Sequence, residues 1–323
     1  MASQVTADNR RPDHFYCFLD EQPYYLVPRR LRPLPGNSSD LIVNPNCSFS
    51  WEGQLPPEKA SRLDSLKSFY DLQRIVWVDD PATGALWPFW AGPEYLSILT
   101  QLRPGEPLKF HLPPEIRLVF TESKILIDPG FPSRRKKEWQ DSLVNLSYKF
   151  RSGYVQVTDL IPSFLIGALR RYYRYHTRIG SFHLGDPQVS RRYAAYNEPV
   201  TRFFHQQLNN AVSGLTGARV KPSYVYWASY QSGSELLKHT DREQCEYSIT
   251  LCIDASPEPQ SETPWPIQLD SPNGHVCIYQ RIGDGLLYRG RTIPHYRDRL
   301  PSGLTSTSIF FHYVDEDFLG PLG

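Results

Sequence analysis

The sequence predicts a mainly β, α+β protein: a sandwich or barrel of short strands, with helices ahead of it and a β-containing N-terminal extension. Three observations carry this expectation. From Tyr224 onward, runs rich in β-branched and aromatic residues are parted by Gly- and Pro-bearing turns, as strands and their connections are. The chain holds 20 Tyr, 16 Phe, 7 Trp and 29 Pro but one Met, the composition of a stiff, loop-rich, β-containing protein. Between residues 151 and 217, two segments instead space their apolar residues at helical intervals.

At 323 residues the chain can form one large domain or two smaller ones around a substantial core. Its 35 basic and 34 acidic residues leave a net charge of +1, so no electrostatic footprint argues for nucleic acid or a membrane surface. Five cysteines (Cys17, Cys47, Cys245, Cys252, Cys277) without C-x-x-C spacing suit free thiols in a reducing compartment better than a disulfide scaffold or zinc site. The first residues lack the apolar core of a signal peptide, and no apolar run approaches the roughly 18 residues of a membrane span. The expectation is a soluble, cytoplasmic protein without nucleic-acid or membrane partners.

In chain order, residues 1–14 read as a disordered leader. Residues 15–150 mix short β-like pieces, such as Tyr24-Tyr25-Leu26-Val27 and Arg74-Ile75-Val76-Trp77-Val78, with proline-rich connections. Pro93 to Thr100 reads as a short helix with Pro in its first turn. Trp87-Pro88-Phe89-Trp90 reads as buried packing rather than a substrate wall. Ser133-Arg134-Arg135-Lys136-Lys137 reads as a solvated loop rather than a nucleic-acid or localisation signal, since no aromatic platform flanks it.

Residues 151–323 form the second unit. Gly153 to Val157 predicts a strand. Thr158 or Asp159 then caps a helix entering at Pro162 and carrying Phe164 to Tyr173. A second helix starts from Asn197 as cap with Pro199 in its first turn, carries Val200, Phe203, Phe204 and Leu208, and ends at Gly214 and Gly217. Between the helices, Arg191, Arg192 and Tyr193 read as a charged loop rather than as contacts for an acidic substrate at a pocket mouth. Strands are then expected over Val225–Tyr230, Glu235–His239, Tyr247–Asp254, Leu286–Arg289 and Thr307–Val314. His176, His183 and His205 read as surface or core-edge residues, His275 falls on a hairpin turn, and His312 reads as a hydrogen-bonded structural histidine.

The chemistry gathers between Tyr224 and His295. His239-Thr240-Asp241 places an imidazole and a carboxylate two residues apart, on one face of an extended strand. His295, from a distant strand, would close three corners of an octahedron around one ion. Two histidines and a carboxylate with three positions left open suit non-haem Fe(II). The candidate metal-ligating and catalytic residues are therefore His239, Asp241 and His295.

Tyr230, Gly233, His239, Asp241 and His295 together reproduce a Y-x-x-G, H-x-D and distal-His order. In this the chain resembles the Fe(II)- and 2-oxoglutarate-dependent oxygenases, in particular their prolyl-hydroxylase-like branch, over roughly its last hundred residues. The resemblance implies a double-stranded β-helix (jelly-roll, cupin-like) core braced by helices, with Fe(II) as metal and 2-oxoglutarate as cosubstrate. It also implies dioxygen and a small-molecule or peptidyl substrate, with Tyr230 hydrogen-bonding the cosubstrate. A carboxylate at Asp241 argues for hydroxylation, desaturation or ring formation over halogenation, because halogenases of this kind leave that corner to chloride. One departure stands out. The family places an Arg or Lys about ten residues past the distal His to hold the far carboxylate of 2-oxoglutarate, but here Gly303 to Ser308 contains no cation. Arg297, on the same strand face as His295 and about 7 Å along it, is the leading substitute. Arg289, Arg291 and Arg299 are fallbacks, and Thr305 or Ser308 could add a hydroxyl. Two other classes fit the same residues: a non-catalytic β-barrel binding protein, and a cupin-like enzyme using another metal, such as a zinc hydrolase or isomerase.

Overall fold

The computed structural model describes residues 40–50 and 74–323. The expected leader and the Tyr24–Val27 strand lie outside those residues. Along the described chain, β1 (Ile42–Val43) and β2 (Cys47–Ser50) precede β3 (Ile75–Asp79) and β4 (Leu86–Trp90), followed by α1 (Pro93–Leu99), α2 (Pro114–Glu122) and β5 (Leu126–Ile127). Strands β2, β3 and β4 form an antiparallel sheet with β4 at its edge, which is where a strand tolerates Pro88. Val76, Val78 and Phe89 pack with Leu99, Phe120 and Leu126 into a small local core. Trp77, on the opposite face, packs against Phe203 in the main core, and Trp87 reaches Phe204 in the same cluster.

The basic run 134–137 is not a loop. It begins α3 (Phe131–Phe150), a helix with Pro at its first turn. Trp139, Leu143, Leu146 and Phe150 recur at helical spacing and pack on the core, so the charges form the wet face of an amphipathic helix. Arg135 leaves that face to pair with the largely buried Asp80, at 3.1 Å.

After Gly153 (φ 92°) the chain enters β6 (Tyr154–Val157) and then α4 (Ser163–Arg178). Pro162, not Thr158 or Asp159, sits at the cap of α4, without a side-chain capping bond. The hairpin β7 (His183–Leu184) and β8 (Arg192–Tyr196) follows. Residues 191–193 therefore enter a strand rather than a charged loop, and Arg192 is buried. Helix α5 (Pro199–Gln207) is capped by Glu198, whose carboxylate accepts from the N–H groups of Val200 and Thr201 and from the hydroxyls of Tyr172 and Tyr173. Asn197 cannot cap it, because its Oδ1 accepts instead from the Val225 N–H at 3.0 Å. Helix α6 (Asn209–Thr216) ends on left-handed Gly217, while Gly214 lies inside the helix, against Leu143 of α3. His205 is buried rather than at the surface; its Nε2 pairs with the His312 carbonyl at 2.7 Å.

The remaining strands are β9 (Val220–Tyr230), β10 (Leu236–His239), β11 (Tyr247–Ser256), β12 (Ile267–Ser271), β13 (Gly274–Ile278), β14 (Gly285–Tyr288), β15 (His295–Arg297) and β16 (Thr305–Asp315). Seven strands form one antiparallel sheet in the order β6-β14-β11-β16-β9-β8-β7, and four form a second, β10-β15-β12-β13. The larger sheet rests one face on α4 and α5 through a continuous apolar cluster. Its other face meets the smaller sheet: Ile267 and Leu269 pack on Leu286 and Tyr288, and Leu236 packs with Ala228 and Tyr230. No helix among the described residues is long and apolar enough to cross a membrane.

Candidate metal centre

Strands β10 and β15 run antiparallel, and their register sets His239 directly across from His295. The two imidazole centroids are 4.4 Å apart. Just past β10 the chain is tied down by the Asp241 N–H, which donates to the Gly290 carbonyl at 2.9 Å. This turns the Asp241 carboxylate toward both rings: its Oδ1 lies 3.7 Å from His239 Nε2 and 3.5 Å from His295 Nε2. One ligand atom from each residue lies within 4.8 Å of the other two. Cis ligands of an octahedral ion with bonds of about 2.1 Å stand about 3 Å apart, so a small contraction suffices.

Backbone carbonyls behind each ring fix which ring nitrogens are free. His239 Nδ1 contacts the Leu237 carbonyl at 2.8 Å, and His295 Nδ1 the Ile293 carbonyl at 3.0 Å. A carbonyl can only accept, so each Nδ1 carries the hydrogen and each Nε2 turns its lone pair toward Asp241. Burial pushes the His239 pKa down, and neighbouring His295 adds to the effect, so the ring is neutral and able to ligate. Asp241 Oδ2 accepts from the Ser248 hydroxyl at 3.0 Å, and Ser248 Oγ in turn meets His312 Nδ1 at 2.9 Å. His312, pushed down to about 4 chiefly by burial, is a neutral donor to Ser248. Gly290 completes the cradle. A Cβ there would strike Asp241 Oδ2 and stand 2.5 Å from Ser248 Oγ. A second set, Asp241, Cys245 and His312, shares the carboxylate. It is a poorer ligand set, because burial pushes the Cys245 thiol up to about 12 and His312 Nδ1 is committed to Ser248.

The triad opens on a cavity of about 550 Å³ walled by Tyr224, Tyr226, Tyr230 and Phe310, with Arg192 at its side. The Tyr230 hydroxyl accepts from Arg192 Nη1 at 3.0 Å. Arg192 is itself held by Asp186, which also accepts from the Tyr226 hydroxyl. The Tyr230 hydroxyl, having accepted from Arg192, retains its own proton for donation. Arg297 lies deeper between the sheets, almost wholly buried. Its guanidinium donates to the Trp265 carbonyl at 2.6 Å and to Gln280 Oε1 at 3.3 Å, and its carbon is 4.6 Å from the Trp265 ring centroid. Among the described residues it has no carboxylate partner within ion-pair distance, and burial pushes its pKa down.

The other candidates lie elsewhere. Arg291 and Arg289 point outward and share Glu246, and Arg299 is exposed beside Glu235. Thr305 lines a different cavity, with Arg170 and Arg174, and Ser308 is buried between β9 and β11. Ser248 and Gly290 had no distinguishing pattern in the sequence, and Arg192 stood out only as one of a basic pair between the helices. Each matters through a partner far along the chain.

No family model and no curated protein matches the sequence. Solved structures similar to it include a prolyl hydroxylase from Trichoplax adhaerens in complex with a hypoxia inducible factor oxygen degradation domain peptide. It is 13% identical, with 56% of this chain and 92% of that chain covered and a TM-score of 0.46. HygX from Streptomyces hygroscopicus, with nickel and 2-oxoglutarate bound, is 12% identical, with 54% and 87% covered and a TM-score of 0.42. An oxidoreductase of the 2OG-Fe(II) oxygenase family from Burkholderia pseudomallei is 10% identical, with 53% and 89% covered and a TM-score of 0.40. The functional reading below rests on the site.

Proposed function

We propose that the chain is an Fe(II)- and 2-oxoglutarate-dependent dioxygenase on a double-stranded β-helix, hydroxylating an unactivated C–H of an amino acid, peptide or specialised metabolite. The observation that carries this is the convergence of His239, Asp241 and His295, with both Nε2 lone pairs free and three corners of an octahedron open. These three residues would hold Fe(II). With 2-oxoglutarate and dioxygen, that metal supplies the oxidising chemistry.

The chain's own residues position and protect. Among the described residues Arg297 offers a buried positive charge without a carboxylate of its own, which is costly unless an anion joins it. Two residues along the strand from His295, at about 3.3 Å per residue, it lies where the far carboxylate of a five-carbon diacid held at the metal would reach. Its planar fork suits that carboxylate. Tyr230, its oxygen already taken by Arg192, donates its proton toward the cosubstrate. Asp241 would fill the corner that a halide requires, which argues against halogenation and leaves hydroxylation, desaturation or ring formation. The tyrosine and phenylalanine walls keep water from the reacting carbon and admit a small-molecule or peptidyl substrate.

Anaerobic titration with Fe(II) and then 2-oxoglutarate tests this. The visible charge-transfer band of the chelate should appear with wild type and be absent with His239→Ala. Arg297→Ala should still bind Fe(II) but need about tenfold or more 2-oxoglutarate, the scale of a lost charge-assisted pair. A wild-type protein that binds Fe(II) stoichiometrically yet never forms the chelate would end the oxygenase reading.

A further inference from the structure

The outer face of the four-stranded sheet carries a second ordered set of reactive groups, turned away from the metal centre. Among the described residues strand β13 is the edge of that sheet, with a neighbouring strand on one side. In its register with β12, His275 lies across from Asp270 and Cys277 across from Gln268. His275 and Cys277 share a face because they are two residues apart on one strand. His275 Nδ1 is 3.1 Å from Asp270 Oδ1, and His275 Nε2 is 3.6 Å from Cys277 Sγ. The other Asp270 oxygen takes Lys238 Nζ at 2.8 Å. The Tyr296 ring stacks beside the imidazole at 6.1 Å. Carboxylate, imidazole and thiol thus stand in the order that activates a nucleophile: the acid holds Nδ1–H, and Nε2 faces the sulfur. The thiol's other acceptor, Gln268 Oε1, is farther away at 3.9 Å. Lys238, then His275, holds Asp270 below the usual carboxylate range, so the group that orients the imidazole is ionised at neutral pH. Cys47, Cys245 and Cys252 are buried, whereas Cys277 is exposed.

We propose that Cys277 is a nucleophilic thiol, served by His275 and Asp270, that exchanges with small-molecule disulfides. In the step, the Cys277 proton passes to His275 Nε2 and the thiolate attacks one sulfur of the disulfide. The S–S bond breaks, a mixed disulfide forms at Cys277, and the departing thiolate takes a proton, ultimately the one held by the imidazolium. Cys277 is oxidised and one half of the small disulfide is reduced. This is independent of the metal centre and stands or falls separately.

The test incubates the full-length protein with oxidised glutathione at neutral pH and follows mixed-disulfide formation at Cys277 by peptide mass spectrometry. His275→Gln should slow the reaction by about tenfold; a free thiol near neutrality is already a few per cent thiolate, which caps the gain at a few tens. Asp270→Asn should slow it less. Iodoacetamide, which needs the thiolate but no disulfide, should rank the variants in the same order. A comparison without variants uses wild type alone: Cys277 should react faster in the folded chain than in the same chain unfolded in urea. Equal rates for wild type and His275→Gln, or a folded rate no faster than the unfolded one, would overturn the proposal.

Discussion

At the scale of single residues, Gly290 tests the candidate centre without touching a ligand. Its φ lies outside the left-handed region, so the glycine is required by space and not by backbone conformation. A methyl group there has to displace the Asp241 carboxylate or the Ser248 hydroxyl that orients it. Loss of such an orienting contact costs roughly 10–100-fold in metal affinity. We therefore expect Gly290→Ala to weaken Fe(II) binding by that factor in an anaerobic titration, with an unchanged circular dichroism spectrum; unaltered affinity would show that the site relaxes around the methyl. The H-x-D spacing and a distant histidine could be read in the sequence. But β10 ends at His239, so it is the bond from the Asp241 N–H to the Gly290 carbonyl, and not strand alternation, that turns the carboxylate toward the rings. Gly290 could not be read, since nothing local marks a glycine that serves a distant carboxylate. Arg192 was misread for a related reason. A basic pair between two helices resembles a loop until its strand pairs with β9 and buries it against Tyr230. Arg297 shows the middle case: its side of the strand was readable, and its burial beneath Trp265 was not.

At the scale of elements, helix α5 carries a pH liability. Burial pushes the pKa of His205, which is packed between Phe311 and Tyr313, down to about 3. The unfolded chain, with an ordinary histidine near 6.5, takes up the proton first as the pH falls. Stability therefore holds above about pH 6.5 and declines through the window down to about 3. By pH 5 the loss from this group is about 2 kcal/mol. Urea unfolding at pH 7.5 and pH 5 should show that loss in wild type and a smaller one in His205→Gln, once each is referred to its own pH 7.5 value; parallel losses would remove His205 as the cause. Neighbouring elements show what a sequence can reveal about boundaries. Strands β11 and β16 were legible from their β-branched and aromatic residues, although both are buried on both faces and not alternately. Helix α3 was missed because its basic first turn drew the eye away from the apolar stripe running from Trp139 to Phe150. The cap of α5 moved by one residue because β9 claimed the Asn197 side chain.

At the scale of the whole molecule, the N-terminal strands complete the core on which the candidate site is built. A reading from composition alone divides the chain near residue 150, where proline-rich connections give way to clear strands and helices. Packing joins what composition separates. Ile75, Trp77, Leu86 and Trp87 belong to the same apolar cluster as the helices α4 and α5 and the strands β9, β11 and β16. The Leu86 N–H donates to Gln207 Oε1 at 2.9 Å, a buried bond that would be orphaned without β4. Helix α3 adds Leu143 against α6. Each large buried apolar side chain is worth about 1.5–3 kcal/mol. Removing the four named residues alone withdraws about 6–12 kcal/mol from a domain whose whole margin is typically about 5–15 kcal/mol. The isolated segment 151–323 should therefore lack a cooperative unfolding transition and bind a hydrophobic dye, although it contains every candidate metal ligand. Its Fe(II) affinity should fall with its fold, since the register of β10 against β15 holds only while the larger sheet is backed by α4 and α5. Thermal unfolding of the segment beside the full chain decides the matter. A sharp transition at the full-length midpoint would mean that the helices and sheets from β6 onward form a complete core, with the N-terminal part only an attachment.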